Sequence, residues 1–387
     1  MSLRCGIVGF GIIAERAHVG ALRALGVEVS SVVEVVPARR EVAARMLPGV
    51  AIHASVEAML ASERLDFIDV CTPPHLHVAA AELAARASVH ALVEKPLATT
   101  LADAERLAEL AARHRVVVAC VNNWNQAPIL RRVQAVCRSR ALGPLRSFEI
   151  EVERTRPAAA AEDDDNWRID PERAGGGILF DHGWHGLALM GRAVAAEPVA
   201  VSASLTRRRH HALRVEDTAV VDIEFADGML GRFSATWAGD SRANRVTVRG
   251  ERGTLEVADD LLRVSRGGRT LEERFDESLA DGGYRIGWTT GIVREFLAEI
   301  AEPGRPHRAI EEALDCMRLL AAAGESNARG GETVALGYPT AARARGVSTS
   351  STAGATVRAA ARQVSSPTTA TMPNERMPAL ADSSSDP

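Results

Sequence analysis

Arg4-Cys5-Gly6-Ile7-Val8-Gly9-Phe10-Gly11-Ile12-Ile13-Ala14 is the stretch whose reading decides the fold. Residues 3–8 read as a short buried strand, and a helix is expected over about 12–25, stopped by Gly26. Gly9 permits the tight turn between them. Gly11 lets a pyrophosphate approach the backbone at the helix N-terminus, where free N–H groups and the helix dipole favour an anion. Ile12 and Ile13 open that helix and count with the two glycines as cofactor contacts. Ala14 takes the third small position, where helix and strand pack closely. Val27 to Val33 reads as the second strand. Glu34 ends it, 20 residues past Ala14, placed to accept hydrogen bonds from adenosine ribose hydroxyls. A carboxylate there favours NAD over NADP, because it repels a 2′-phosphate. Arg39 and Arg40 follow closely enough to serve NADP, which stays possible.

Working outward, strands continue to alternate with helices. Helical segments are expected near 38–46 and 55–61, a strand at 67–71, and a helix from His77 to Arg86. Val89 to Val93 and 115–121 read as further strands, with a long amphipathic helix at 100–114 between them. The alternation predicts an α/β fold with a doubly wound parallel sheet of Rossmann type. Thr72 and Pro73 end a strand at the carboxyl edge, where such sheets bind ligands. His75 and His77 follow, each readable as a surface or capping histidine.

The pattern changes near residue 144. Phe148, Ile150 and Val152 alternate with Glu149, Glu151 and Glu153, and the same period of two returns around Val221 and Phe233 with an Asp227-Gly228 turn between. This signals an open, mostly antiparallel sheet with one buried face. Helices at about 290–301 and 309–328 complete an α+β second domain. The expected organisation is a dinucleotide-binding domain over 1–122, a substrate-binding and oligomerisation domain over 123–340, and a tail over 341–387. That tail is rich in Ser, Thr, Ala and Pro, and Leu380 is its only Leu or Ile, so it is expected to be disordered.

Composition removes several function classes. A net charge of −4 argues against general nucleic-acid binding, and the one dense basic cluster, Arg207 to His211, reads as a solvated turn. No stretch reaches the roughly 18 apolar residues of a membrane span. The strand starting almost at Met1 leaves no room for a signal peptide. Five scattered cysteines form no C-x-x-C pair, so neither a disulfide framework nor a metal site is expected. A cytoplasmic protein with reduced, mostly buried thiols is the simplest expectation.

Two short segments carry the chemistry. Glu94-Lys95-Pro96 puts a lysine at the end of a strand. Gly175-Gly176-Gly177 through Asp181 and His185 puts a carboxylate and an imidazole four residues apart, on one face of a helical turn. A cation, a carboxylate and an imidazole are the parts needed to move a proton on and off an alcohol oxygen. His185 suits the base and Lys95 the fixed cation; Asp181 binds a substrate hydroxyl or orients His185 or Lys95. Trp124, Trp167, Trp184, Tyr284 and Trp288 are candidate walls for a sugar-like substrate. Arg168 is a candidate substrate contact, or a salt-bridge partner of Asp163–Asp165.

With these residues in hand, the chain resembles the glucose–fructose oxidoreductase / inositol dehydrogenase / rhizopine catabolism (Gfo/Idh/MocA) family from residue 4 to about 337. Glu94-Lys95-Pro96 and Gly175 through His185 are the most specific matches. Thr72-Pro73 with His77, Trp167-Arg168, Val215-Glu216-Asp217-Thr218 and Arg249 to Thr254 support them. The resemblance implies a nicotinamide cofactor and hydride transfer on a sugar, cyclitol or related polyol. It implies catalytic roles for Lys95, Asp181 and His185, and cofactor contacts from Thr72, Pro73, His77, Glu94 and Lys95. Asn123, Trp124, Trp167 and Arg168 are expected at the substrate with Asp181 and His185. The open sheet implies a homo-oligomer, a dimer or tetramer. Two departures bear on the substrate: Ala188 stands where many relatives carry an acid, and Asn122-Asn123-Trp124-Asn125 replaces an Arg- or Phe-bearing stretch. An NAD-assisted glycosidase or epimerase, and a non-catalytic nucleotide-binding regulator, are the competing expectations.

Overall fold

The computed structural model describes residues 2–158, 166–282, 284–302 and 308–337. The tail over 341–387 and the Asp163–Asp165 run lie outside the described residues. Strands β1 (Arg4–Val8), β2 (Glu28–Val33), β3 (Ala51–His53), β4 (Phe67–Val70), β5 (His90–Val93) and β6 (Val118–Cys120) form one parallel sheet in the order β3-β2-β1-β4-β5-β6. The order reverses between β1 and β4, so their carboxyl ends diverge and open a crevice there. The three-residue β3 was not anticipated: Ala51-Ile52-His53 is too short to show a period, and it forms by pairing with Ser31 to Val33.

The second sheet has nine strands: β7 (Leu145–Glu153), β8 (Pro198–Thr206), β9 (Thr218–Phe225), β10 (Leu230–Thr236), β11 (Ala243–Gly250), β12 (Gly253–Ala258), β13 (Leu261–Arg266), β14 (Arg269–Arg274) and β15 (Val334–Ala335). Their order is β14-β13-β12-β11-β7-β10-β9-β8-β15, antiparallel throughout except for the parallel β7–β10 pair. The alternation on β7 works as expected: Phe148, Ile150 and Val152 are buried, while Glu149 and Glu151 face out and pair with Arg249 and Arg245.

Three helices cover the buried face: Pro128–Arg138, Trp184–Ala193 and Arg308–Ala328. The first was passed over in the sequence, although Ile129, Leu130, Val133, Val136 and Cys137 follow the helical period and are all buried. Gly186 lets the second helix lie close on the sheet, since a Cβ there would sit 2.5 Å from Phe233 Cδ2. The helix Ile286–Ala301 instead returns to the parallel sheet, where Phe296 meets Phe67 edge-on at 5.2 Å. Arg208, Arg209 and His210 form a turn whose backbone N–H groups wrap Asp217, as a solvated cluster should.

Candidate active site

A cleft of ≈ 1850 Å³ opens at the β1/β4 crevice. That exceeds the roughly 300–1,000 Å³ that one drug-sized ligand occupies, so a dinucleotide and a substrate fit together. Gly9 turns with φ 85°, and its N–H donates to Val33 O at 2.8 Å. A Cβ on Gly11 would meet nothing within 4 Å, so the loop presents open space at the helix N-terminus, as a pyrophosphate needs. Gly9, Gly11, Ile12, Ile13 and Glu34 line this end, with Thr72 and Pro73 opposite.

Glu34 is fixed by three backbone donors: Phe10 N at 2.7 Å on one oxygen, Val35 N at 2.7 Å and Val36 N at 2.8 Å on the other. A carboxylate has about four acceptor positions, so capacity remains for a ribose hydroxyl. Arg39 donates to Phe10 O and Glu15, and Arg40 to Glu34 O. Both arginines are thus engaged with the protein.

His77 does something other than the sequence suggested. It is fully buried and absent from the cleft wall. Its ring nitrogens lie 2.8 Å from Pro96 O and 2.7 Å from Thr72 O. It braces the two loops that carry Thr72-Pro73 and Lys95-Pro96. Trp184 is likewise a core residue, 1% exposed, and not a pocket wall. Trp124, Trp167, Tyr284 and Trp288 do line the cleft.

At the far end, Lys95 reaches across from β5. Its Nζ donates to Asp181 Oδ1 at 2.6 Å and to Asp181 O at 2.9 Å. Burial alone would raise the Asp181 carboxyl, but Lys95, and then His182 at 3.1 Å, hold it well below the usual carboxylate range. His185 stacks flat on Trp124 with ring centroids 5.2 Å apart, and its Nδ1 lies 3.4 Å from Asn122 Oδ1. With Asn122 Oδ1 as its neighbour, Nδ1 makes a hydrogen bond only in the tautomer where it carries the proton, which leaves Nε2 its lone pair. Burial, then the charges of Lys95 and His182, hold the imidazole well below its usual range. Arg168 stacks over Trp167 at 4.3 Å, and Asn123 completes this wall.

The segment bearing Asp181 and His185 is locked at its start. Residues Leu179–Gly183 form a wide π turn that runs into the helix Trp184–Ala193. Glu216 caps it, its carboxylate accepting Gly177 N and Leu179 N at 3.0 Å. Asp217 accepts three backbone N–H groups at 2.8 Å, which outweigh its burial and bring its carboxyl down to about 2. Glu216 therefore anchors the turn that bears Asp181 and His185, while Asp217 holds the neighbouring Arg208–His210 turn.

The described geometry joins a dinucleotide loop to a lysine–aspartate–histidine group in one cleft. Comparison with known proteins agrees on both halves. A family profile for an oxidoreductase family with an NAD-binding Rossmann fold matches residues 3–122, and a Gfo/Idh/MocA C-terminal domain profile matches 130–256. The chain belongs to the Gfo/Idh/MocA oxidoreductase family. Residues 3–122 are the family's NAD-binding Rossmann domain, and the protein is an oxidoreductase. Among curated relatives of this Gfo/Idh/MocA chain, a putative UDP-kanosamine synthase oxidoreductase subunit of Amycolatopsis mediterranei is 28% identical over 85% of this chain and 98% of its own length. A D-apiose dehydrogenase of Paraburkholderia graminis is 28% identical over 85% of this chain and 88% of its own. A solved structure of GenD2 from gentamicin A biosynthesis, in complex with NAD, is 27% identical with a TM-score of 0.74, over 87% of this chain and 97% of that one.

Three functional features went unread in the sequence. Asn122 was seen only as part of a departure, and nothing local marks it as the partner of a residue 63 positions away. Glu216 was matched as a motif without a role. The third was countable: of 46 basic residues, Lys95 is the only lysine.

Proposed function

We propose that this protein is an NAD-dependent dehydrogenase or reductase acting on a hydroxyl or keto carbon of a sugar, cyclitol or related polyol. The observation that carries the reading is the Lys95–Asp181 ion pair beside His185, at the far end of a cleft that begins with Gly9, Gly11 and Glu34. The Gly loop and Glu34 would hold the cofactor, and the chemistry NAD supplies when bound is acceptance of a hydride.

The protein's own groups handle the proton. A lysine ammonium has three N–H donors, and Asp181 Oδ1 and O take two of them. The third is available to a substrate oxygen, where it stabilises developing alkoxide charge. His185 Nε2 removes the hydroxyl proton, and burial keeps it in the unprotonated form that this requires. Asn122 fixes the tautomer, and Trp124 fixes the ring plane. Asp181 holds Lys95 in place. Reduction runs the same proton transfers backwards.

Glu34 supports NAD over NADP, since a 2′-phosphate would meet a carboxylate while Arg39 and Arg40 are engaged elsewhere. The open face of the nine-stranded sheet, with its Arg–Glu pairs, is the surface proposed to join copies into a homo-oligomer; light scattering of the purified protein tests that.

The test is fluorescence titration with NADH and NADPH, followed by a sugar and cyclitol panel read as NADH formation. Lys95→Ala and His185→Ala should each lower turnover by roughly 10²–10⁴-fold while leaving NADH affinity nearly intact. Near-normal turnover in either variant removes that residue from the mechanism. NAD that stays bound with no net NADH would point to the glycosidase or epimerase reading. Binding of neither cofactor would leave the non-catalytic one.

A further inference from the structure

We propose that His18 is a positioning residue for Lys95: clamped between Asp69 and Glu94, it ties the helix that follows the Gly9–Gly11 loop to the peptide bearing the active-site amine. The inference rests on the role given to Lys95 above.

His18 closes a π turn over Ala14–His18, directly after the glycine loop. The wide turn points its ring into the sheet. Nδ1 lies 2.8 Å from Asp69 Oδ2 on β4, and Nε2 lies 3.0 Å from Glu94 Oε1 just past β5. Glu94 Oε2 in turn accepts the backbone N–H of Lys95 at 3.0 Å. One chain of contacts thus runs from the cofactor loop to the lysine.

Charge on His18 follows from the geometry. A neutral imidazole has one N–H and would set its bare nitrogen against a carboxylate at 3 Å. Two carboxylates at both nitrogens call for an imidazolium. Burial opposes this, but Asp69 overcomes it and holds His18 well above its usual range, and His18 pulls Glu94 down against its own burial. Three buried or half-buried thiols border the group: Cys5 beside Asp69, Cys120, whose Sγ donates to Glu94 O, and Cys71, whose Sγ donates to Asp69 Oδ1 at 3.7 Å. All three are held above the usual thiol range by burial first. Burial and then Asp69 push the Cys71 thiol up to about 12, so it stays neutral.

Such a group is a poor device for stability alone. Taking charges out of water costs several kcal/mol per ion, and apolar replacements of similar volume are often no worse. His18 and Asp69 are both fully buried, and the core cluster that holds Ile7, Phe10, Ala14 and Val19 flanks them in sequence, so apolar side chains would extend it. What apolar residues cannot do is fix the direction of the Glu94 carboxylate, and through it the Lys95 peptide.

The single lysine makes this testable without a substrate. Reductive methylation with ¹³C-formaldehyde labels only Lys95 and the α-amine, and a Lys95→Arg variant assigns the two signals. In His18→Gln and in Glu94→Gln the Lys95 methyl line should narrow as the amine loosens from Asp181, and in His18→Gln, whose side chain is fully buried off the cleft wall, NADH affinity should stay close to that of the parent. With a polyol substrate, each variant should lose about 10²-fold in kcat, the order expected for a displaced catalytic group, with little change in KM. The double variant should be no worse than either single one. An unchanged line width and kcat in a folded variant overturns the proposal. So does a loss of kcat in His18→Gln that merely tracks lost NADH affinity. If His18→Gln does not fold, Asp69→Asn, which removes the other half of the clamp away from the cleft wall, takes its place. If the parent protein turns over no polyol while its line narrows in the variants as expected, the functional reading fails and the clamp stands.

Discussion

Gly177→Ala probes how tightly the catalytic turn is held. A Cβ on Gly177 would lie 2.1 Å from Glu216 O and 3.0 Å from Glu216 Cδ. The carbonyl has little freedom to turn away, because it accepts the Ile178 N–H at 3.2 Å. The two segments must therefore part by roughly 1 Å to reach ordinary packing distance. Overpacking of this kind costs about 1–3 kcal/mol, and weakening the Glu216 cap about 1 kcal/mol more. At about 2–4 °C per kcal/mol for a chain of this size, the melting temperature should fall by roughly 5–15 °C. Displacing Asp181 and His185 by about that distance should also lower kcat on the order of 10²-fold.

NADH binding should survive, since Gly9, Gly11 and Glu34 lie in the loops after β1 and β2 and not on that turn. The assay pairs a thermal melt and an NADH titration with steady-state turnover. Gly191→Ala is the control of opposite sign. It lies in the helix that follows the turn, Trp184–Ala193, with nothing within 4 Å of its Cβ, so alanine should stabilise by about 0.5–1 kcal/mol. A Gly177→Ala protein with normal turnover would refute the tight-contact argument. So would one that loses turnover and NADH affinity in parallel, because the damage would not then be local to the turn.

Removing the Glu34 carboxylate (Glu34→Ala) should weaken NADH by about tenfold and strengthen NADPH by a similar factor, the worth of one charged contact to each; an unchanged NADH-to-NADPH ratio of dissociation constants would count against Glu34 as the selector. His185 must be unprotonated to act as base, and its folded-state pKa is lowered, so kcat/KM for oxidation should hold on the acid side past 6.5 and fall only well below it. Lys95→Gln removes a neighbouring positive charge and should move that acid limb upward in what activity remains, whereas a parent limb at or above 6.5 would exclude His185. Asp217 is depressed to about 2 from 3.8, so its stabilisation is complete above the unfolded value and is lost as pH falls through the folded one. Denaturation of the parent and of Asp217→Asn should therefore differ most near neutral pH and converge towards pH 2, and a gap that does not depend on pH would reject the backbone-nest account.

The parallel sheet was legible because its signals are local. A strand, a glycine turn and a helix lie within 25 residues, and period-two alternation on β7 and β10 marks a half-buried sheet residue by residue. Lys95, Asp181 and His185 were legible because each sits at a fixed offset from a glycine run or a strand end. The misreadings are the non-local ones. His77 looked like a ligand because it follows Thr72-Pro73, yet only the folded chain brings Pro96 O within 2.8 Å of its ring. Trp184 neighbours His185 in sequence but is turned about 100° around the helix from it, and its burial depends on which face of the helix meets the core. β3 exists only because β2 offers it a partner. The His18–Asp69–Glu94 group joins residues 51 and 76 positions apart, and nothing in any one segment announces it.

The basic residues of this chain show why position 95 differs from the rest. On the outer sheet face Arg245 and Arg249 pair with Glu151 and Glu149, and in the interior Arg154 bridges Ala243 O and Asn244 Oδ1. A planar fork with five donors serves such sites well, because it fills several acceptors at once. Position 95 asks for something else. One atom meets both Asp181 Oδ1 and Asp181 O, and in the proposed mechanism it must still leave a donor for a substrate oxygen. A guanidinium laid against the same carboxylate would spread its donors along a rigid plane and set its charge further from the reacting carbon. A compact ammonium concentrates both tasks at one point. A chain that uses arginine at every other basic position has kept its one lysine where that difference in shape and donor placement matters most.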